Sequence, residues 1–271
     1  MLAGAMCLDW NGFAESVKEM GKPKLRIGIL SDIHLTDADS ADVLQHAFEY
    51  YRSQNVDGII IAGTGANGRL VRDIKSSGLP VAQVVRRQER DISSVVADYE
   101  ACAYDGTKFL ADKGCKEIGL INGSMDIAPY LARYKGYKKA IAKLELPEIT
   151  TTCTHPWNSF EYGYQCAGQL LDENPKLDAI MAAVDVQGLG AVRAIKERGL
   201  RVPEDIRLVS LTGHKVGGML ETSMTSLEVP AREMGEKVTK MLIEEIEAPS
   251  DQKPSPQHLV FAARLVERES T

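Results

Sequence analysis

Residues 177–211 read "LDAIMAAVDVQGLGAVRAIKERGLRVPEDIRLVSL", and this stretch decides the fold. "DAIMAAV" and "IRLVSL" are almost continuous apolar runs of strand length, not alternating ones. Strands buried on both faces of a parallel sheet read this way. "GLGAVRAIKERG", between them, carries helical periodicity and stops at Gly199, a residue free to take the left-handed conformation that ends helices. A strand, a crossover helix and a second strand in this order make a parallel βαβ unit, which closes with one hand.

The same alternation extends in both directions. "LRIGIL", "VDGIIIAG", "PVAQVV", "SSVVA", "KEIGLI" and "HLVFAAR" predict further strands. Helices are expected in "ADVLQHAFEYYRSQ", "GRLVRDIKSSG", "YEACAYDGTKFLADKG", "YLARYKGYKKAIAKL" and "AREMGEKVTKMLIEEIEA", two of them closing at Gly78 and Gly114. The expected class is α/β, doubly wound, with ligands received at the carboxyl ends of the strands. There are too many units for one small sheet, and 271 residues suffice for two domains. Two similar parallel-sheet lobes with a cleft between them are therefore expected. "EAPSDQKPSPQ" (247–257), rich in Pro, Ser and charge, reads as a loose connection.

The composition narrows the function classes. Hydrophobic residues make up 44% and charged residues 26%, the balance of a globular protein. No run approaches the roughly 18 apolar residues of a membrane span, and the first residues lack the basic start of a secretory leader. Five cysteines, widely spaced and without a CxxC pair, suggest neither a disulfide framework nor a zinc knuckle, and point to a reducing cytoplasm. A net charge of -6, with Lys and Arg scattered among more numerous acids, argues against direct nucleic-acid binding by this chain. "AGTGANGR" (62–69) is Gly-rich after a strand but has neither P-loop nor dinucleotide spacing, so no cofactor is expected.

From Val56 to residue 270 the chain resembles the effector-binding region of the LacI/GalR family of bacterial transcription regulators. The stretches that carry the likeness fall in order: "QNVDGIII", "SSGLPVAQVVRR", "SSVVADYEACAYDGTKFLADKGCKEIGLING", "RYKGYKKAI", the 177–211 segment, "TSLEVPAREMGEKVTKMLIEEIE" and "LVERES". The resemblance implies a periplasmic-binding-protein-like fold of the first type. It places a first lobe in residues 1–97 plus about 223–249, and a second in 98–222 plus about 250–271. It also implies a small-molecule effector, a sugar or derivative, taken up between the lobes, and a homodimer. Operator DNA would be reached through a helix-turn-helix and hinge that these residues do not contain, with lobe closure changing the spacing of the paired readers. A sugar-binding transport protein of the same fold is the alternative.

The resemblance also implies site residues. Arg133 takes the place of a pocket arginine, whose planar fork of donors can hold two ligand oxygens; otherwise it is a solvated helix arginine in the basic "RYKGYKK". Asp98 is either ligand-facing or a helix N-cap. Asp185 stands at the mouth of the second lobe, preceded by Val184 where the family often has asparagine. Thr212 in "SLTG" replaces a pocket aspartate, so no particular family ligand carries over. Trp157 in "HPWNSFEYGY" is either an aromatic floor for a sugar ring or an ordinary half-buried tryptophan. If "AMCLD" is a first strand and "NGFAESVKEM" a shortened helix, Asp9, Trp10 and Phe13 also line the pocket.

The first 60 residues carry a second likeness. "LRIGILSDIHL" followed by "NVDGIIIAG" resembles the opening of a calcineurin-like metallophosphoesterase, whose Asp-x-His would hold one of two water-activating metals. Asp32 and His34 fit that motif. Thr64, however, stands where the bridging aspartate belongs, and no Gly-Asn-His or His-x-His follows. A site stripped of these ligands should not hold metal, so neither catalysis nor a metal is expected, and a phosphoesterase is the remote alternative.

Overall fold

The computed structural model describes residues 25–31, 46–62, 68–213 and 215–271. They form two compact units, one within residues 1–97 and 230–261, the other in 98–229 and 262–271.

Among the described residues the first unit holds five parallel strands in the order β1 (Ile27–Ser31), β2 (Gly58–Ala62), β3 (Val81–Val84), β4 (Ser94–Ala97) and β10 (His258–Phe261). One face carries Leu30, Ile59, Ile61 and Val81, packed with α1 (46–53) and α2 (Gly68–Ser76). The alternate residues of β2 face α7 (Ala231–Glu247): a side chain at Gly58 would meet Leu242 and Ile246. At the carboxyl end of β3, Val85 has φ of 70° and Arg86 N–H donates to Val84 O at 2.8 Å. This is a γ-turn of the rare, strained hand, unusual for a β-branched residue. Gln83, buried in β3, braces the loop beyond it. Its Nε2 donates to Glu89 O and Ile92 O, and its Oε1 accepts from the amides of Gln88 and Glu89.

The second unit has six strands, in the order β11 (Arg264–Val266), β9 (Thr225–Glu228), β8 (Arg207–Ser210), β7 (Ala179–Ala182), β5 (Ile118–Ile121) and β6 (Ile149–Thr151). Only β11 runs antiparallel to its neighbour. Period-two alternation assigns each residue a face. Ile118, Leu120, Ala179, Met181 and Val209 pack with α3 (Tyr99–Asp112) and α4 (Ala128–Leu144). Ile121, Ile180 and Leu208 pack with α5 (Phe160–Glu173) and α6 (Asp185–Glu197).

Each helix pair meets backbone to backbone. A side chain at Gly136 would collide with the Glu100 carbonyl, one at Gly163 with Gln187 backbone, and one at Gly190 with the Phe160 carbonyl. Gly78, Gly114 and Gly199, read from sequence as helix stops, all have positive φ (84°, 92° and 73°).

The expected lobe limits differ from these units at two places. β9, expected in the first lobe, pairs with β8 through Val209–Thr225 and stays in the second unit. "HLVFAAR", expected as one strand of the second lobe, is divided. β10 pairs with β4 in the first unit, and β11 with β9 in the second. Helix α5 and the three-residue edge strand β6 were not among the expected elements. Asp32, His34 and Thr64, the residues of the metallophosphoesterase likeness, lie outside the described residues.

Two substitutions test the packing. Gly163→Ala forces α5 away from α6 and should cost about 1–3 kcal/mol or more, read as a lower midpoint in urea unfolding. Tyr137, fully buried, accepts from Ile149 N–H at 2.9 Å, and its hydroxyl reaches the Ile118 (2.8 Å) and Ile149 carbonyls, joining β5 to edge strand β6. Tyr137→Phe leaves those groups unpaired and should cost about 1–3 kcal/mol by the same measurement.

Candidate functional site

The carboxyl ends of β5, β7 and β8 in the second unit converge with the first turns of the helices that follow. Arg133, on the second turn of α4, is only 4% exposed. Its guanidinium carbon lies 4.5 Å from the centroid of the Tyr99 ring and 5.6 Å from that of Tyr130, distances at which a cation is drawn to an aromatic face. Nη2 approaches Thr212 Oγ1 at 3.3 Å and the Leu211 carbonyl at 3.5 Å, whereas Nε is buried without a partner. Among the described residues no ion pair links Arg133 to a carboxylate. Thr212 donates to the Ala183 carbonyl at 2.8 Å, so its hydroxyl ties the end of β7 to the guanidinium.

Trp157 is half-buried in the loop that leads to α5 and packs with Ile127, Tyr130, Ala183 and Val184. Gln187 Nε2 donates to its carbonyl at 2.5 Å, and Ser159 caps α5 by accepting from Tyr162 N–H. Gly123 lies beneath this pair: a Cβ there would stand 2.8 Å from Tyr130 and 2.9 Å from Trp157. Beside it, buried Asn122 donates to the Tyr130 carbonyl at 3.0 Å and keeps Oδ1 without a partner.

Arg133, Thr212 and Trp157, read separately from sequence, thus share one surface through Tyr130. The solvated-helix alternative for Arg133 does not hold, since the side chain is buried. Asp98 is the N-cap of α3, its Oδ1 accepting from Ala101 N–H at 2.9 Å. Asp185 is the first residue of α6, buried, and its carboxylate faces Gly217 of the 3-10 turn Lys215–Met219. Val184 before it supplies no side-chain cap to α6. Asp9, Trp10 and Phe13 lie outside the described residues.

Tyr99, Tyr130, Asn122 and Gly123 escaped the sequence reading. Asn122–Gly123 directly follows the buried run Ile118–Ile121, and polar residues at that boundary are the signal that could have found them.

Cys102 donates to the Leu211 carbonyl, and burial pushes its thiol up to about 12 despite the opposing charge of Arg133. Among the described residues no group of three His, Cys, Asp or Glu is gathered that could hold a metal ion. Among the described residues no helix is long and apolar enough to cross a membrane.

Two doubly wound parallel-sheet units with a polar and aromatic surface at the strand ends define an α/β binding domain. Residues 107–271 match the family described as periplasmic binding protein-like domain, and the chain belongs to that family. Among curated relatives, the HTH-type transcriptional regulator CelR of Thermobifida fusca is 28% identical over 224 residues, 82% of this chain and 65% of CelR. Catabolite control protein A of Priestia megaterium is 27% identical over 214 residues, 78% of this chain and 64% of that protein. The chain thus spans just under two thirds of the length of these relatives.

Among solved structures, a transcriptional regulator CelR–cellobiose complex superposes with a TM-score of 0.76 at 23% identity, covering 96% of this chain and 90% of that one. A dimeric Lac repressor with an 11-residue C-terminal deletion gives 0.78 at 22%, covering 91% and 98%. These likenesses establish the fold expected from the sequence.

Gly123→Ala should push Trp157 off Tyr130. A shift in tryptophan emission, absent from the same substitution made in a Trp157→Phe background, is the expected reading.

Proposed function

We propose that this chain is the effector-sensing region of a LacI-type transcription regulator, and that its effector is a sugar or close derivative. The observation that carries the reading is the buried Arg133 guanidinium, sandwiched by Tyr99 and Tyr130, with an unpartnered Nε. In a dry site such a group gains most from ligand oxygens that replace lost water. Trp157 and Tyr130 supply apolar faces of the kind that lie against a sugar ring, and the Asn122 carboxamide offers an acceptor for a ligand hydroxyl. The relatives named above are regulators, and one neighbour was solved with cellobiose. On this reading the protein is not an enzyme and works in the cytoplasm as a homodimer. Its operator contacts belong to a helix-turn-helix outside these residues.

Thermal-shift measurements against a panel of mono- and disaccharides test it. At least one sugar should raise the melting temperature, because a ligand at 100 times its Kd stabilises the folded state by about 2.7 kcal/mol. Arg133→Ala should abolish that shift while leaving the circular dichroism spectrum unchanged. No stabilising sugar, or a shift that survives Arg133→Ala, would overturn the assignment. In an electrophoretic assay the chain alone should show no sequence-specific retention of DNA; tight binding would place a reader within these residues.

A further inference from the structure

The loop that carries Trp157 also carries Cys153, two residues beyond β6. The Cys153 thiol donates to the Tyr162 carbonyl at 3.8 Å. One turn along α5, Cys166 takes the same carbonyl with its backbone N–H, as helix geometry requires. Two sulfurs therefore flank a single peptide group, in one apolar cluster. Both are free, Cys166 fully buried and Cys153 half-buried at the edge of the same apolar cluster. The loop is also held by the packing of Trp157 and by hydrogen bonds, among them Gln165 Nε2 to His155 Nε2 at 2.7 Å and Gln187 to the Trp157 carbonyl.

We propose that Cys153 and Cys166 are a reversible dithiol–disulfide pair whose closure clamps the Trp157 loop onto α5. The inference does not depend on what the chain binds. The oxidant is a low-molecular-weight disulfide, RSSR. The Cys153 sulfur attacks one sulfur of RSSR, the RS–SR bond breaks, and the first RSH leaves with the Cys153 proton. The Cys166 sulfur then attacks Cys153, the mixed disulfide breaks, and the second RSH leaves with the Cys166 proton. The protein loses two electrons and two protons, and RSSR gains them.

The order of attack follows from exposure: only Cys153 meets an oxidant in solution, and only Cys166 lies where it can resolve the mixed disulfide. Burial first, and the Cys153 thiol second, push the Cys166 thiol up to about 12, which makes it the slower, second nucleophile of the pair. The bridge would alter the seat of Trp157 without touching Arg133.

The test is to incubate the folded chain with oxidised glutathione, block the remaining thiols before unfolding, and map peptides without reductant. A linked 153–166 peptide is expected, with two of the five thiols lost. Tryptophan emission should change together with it, reverse with dithiothreitol, and stay constant in Trp157→Phe. Cys166→Ala should instead accumulate glutathione on Cys153, and Cys153→Ser should leave Cys166 unmodified. A wild-type chain that retains glutathione on Cys153 as persistently as Cys166→Ala, or forms the linkage only when unfolded, overturns the pair. A bridge formed with unchanged emission overturns the clamp.

Discussion

The candidate surface of the second unit depends on one backbone contact, the approach of α4 to α3 at Gly136. A parallel sheet has to be covered on both faces, and α3 and α4 cover one face of the second unit. They lie so close that no side chain fits between Gly136 and the Glu100 carbonyl. Tyr99 immediately precedes Glu100, and Arg133 stands almost one turn before Gly136. The contact that seals the apolar face therefore also sets the guanidinium 4.5 Å from the tyrosine ring. On the opposite face Gly163 and Gly190 seat α5 on α6 in the same way. That second contact brings Gln187 under the carbonyl of Trp157. Packing and site are one arrangement viewed from two sides.

Charge supplies the chemistry of this surface. A carboxylate at position 212, as the family likeness would have it, would neutralise the guanidinium with a fixed internal partner. Thr212 instead offers a neutral hydroxyl already committed to the Ala183 carbonyl. Among the described residues Arg133 is thus met by ring faces, a hydroxyl and a carbonyl rather than by a carboxylate.

Most of this fold could be read from the sequence because its strands are buried on both faces and so appear as unbroken apolar runs. Gly78, Gly114 and Gly199 announced helix ends for an equally local reason, the positive φ that each adopts. Helix α5 was concealed by its small residues. Gly163, Cys166, Ala167 and Gly168 let it lie against α6, but they blur the apolar stripe that marks a helix. Edge strand β6 is too short to declare itself, and a tyrosine hydroxyl from α4 holds it in place. Arg133, Thr212 and Trp157 were nominated through family likeness. Their gathering around Tyr130 depends on tertiary contacts that spacing does not encode. Asp98 kept two readings in sequence because N-capping and ligand binding favour the same carboxylate; its bond to Ala101 shows the first.

The route of the chain through its two units bears on how the protein is made. Residues 1–97 leave the ribosome first, yet the first unit cannot finish its sheet until β10 follows at His258–Phe261, and α7 also arrives late. The second unit, started later, has every parallel strand of its sheet by Glu228 and waits only for the short antiparallel edge β11. Birth order and the order in which the parallel strands are complete are therefore reversed. During synthesis the second unit can bury both faces of its sheet while β4, at the rim of the first, still has an unpaired edge. Nascent-chain protection falls to the half that was made first.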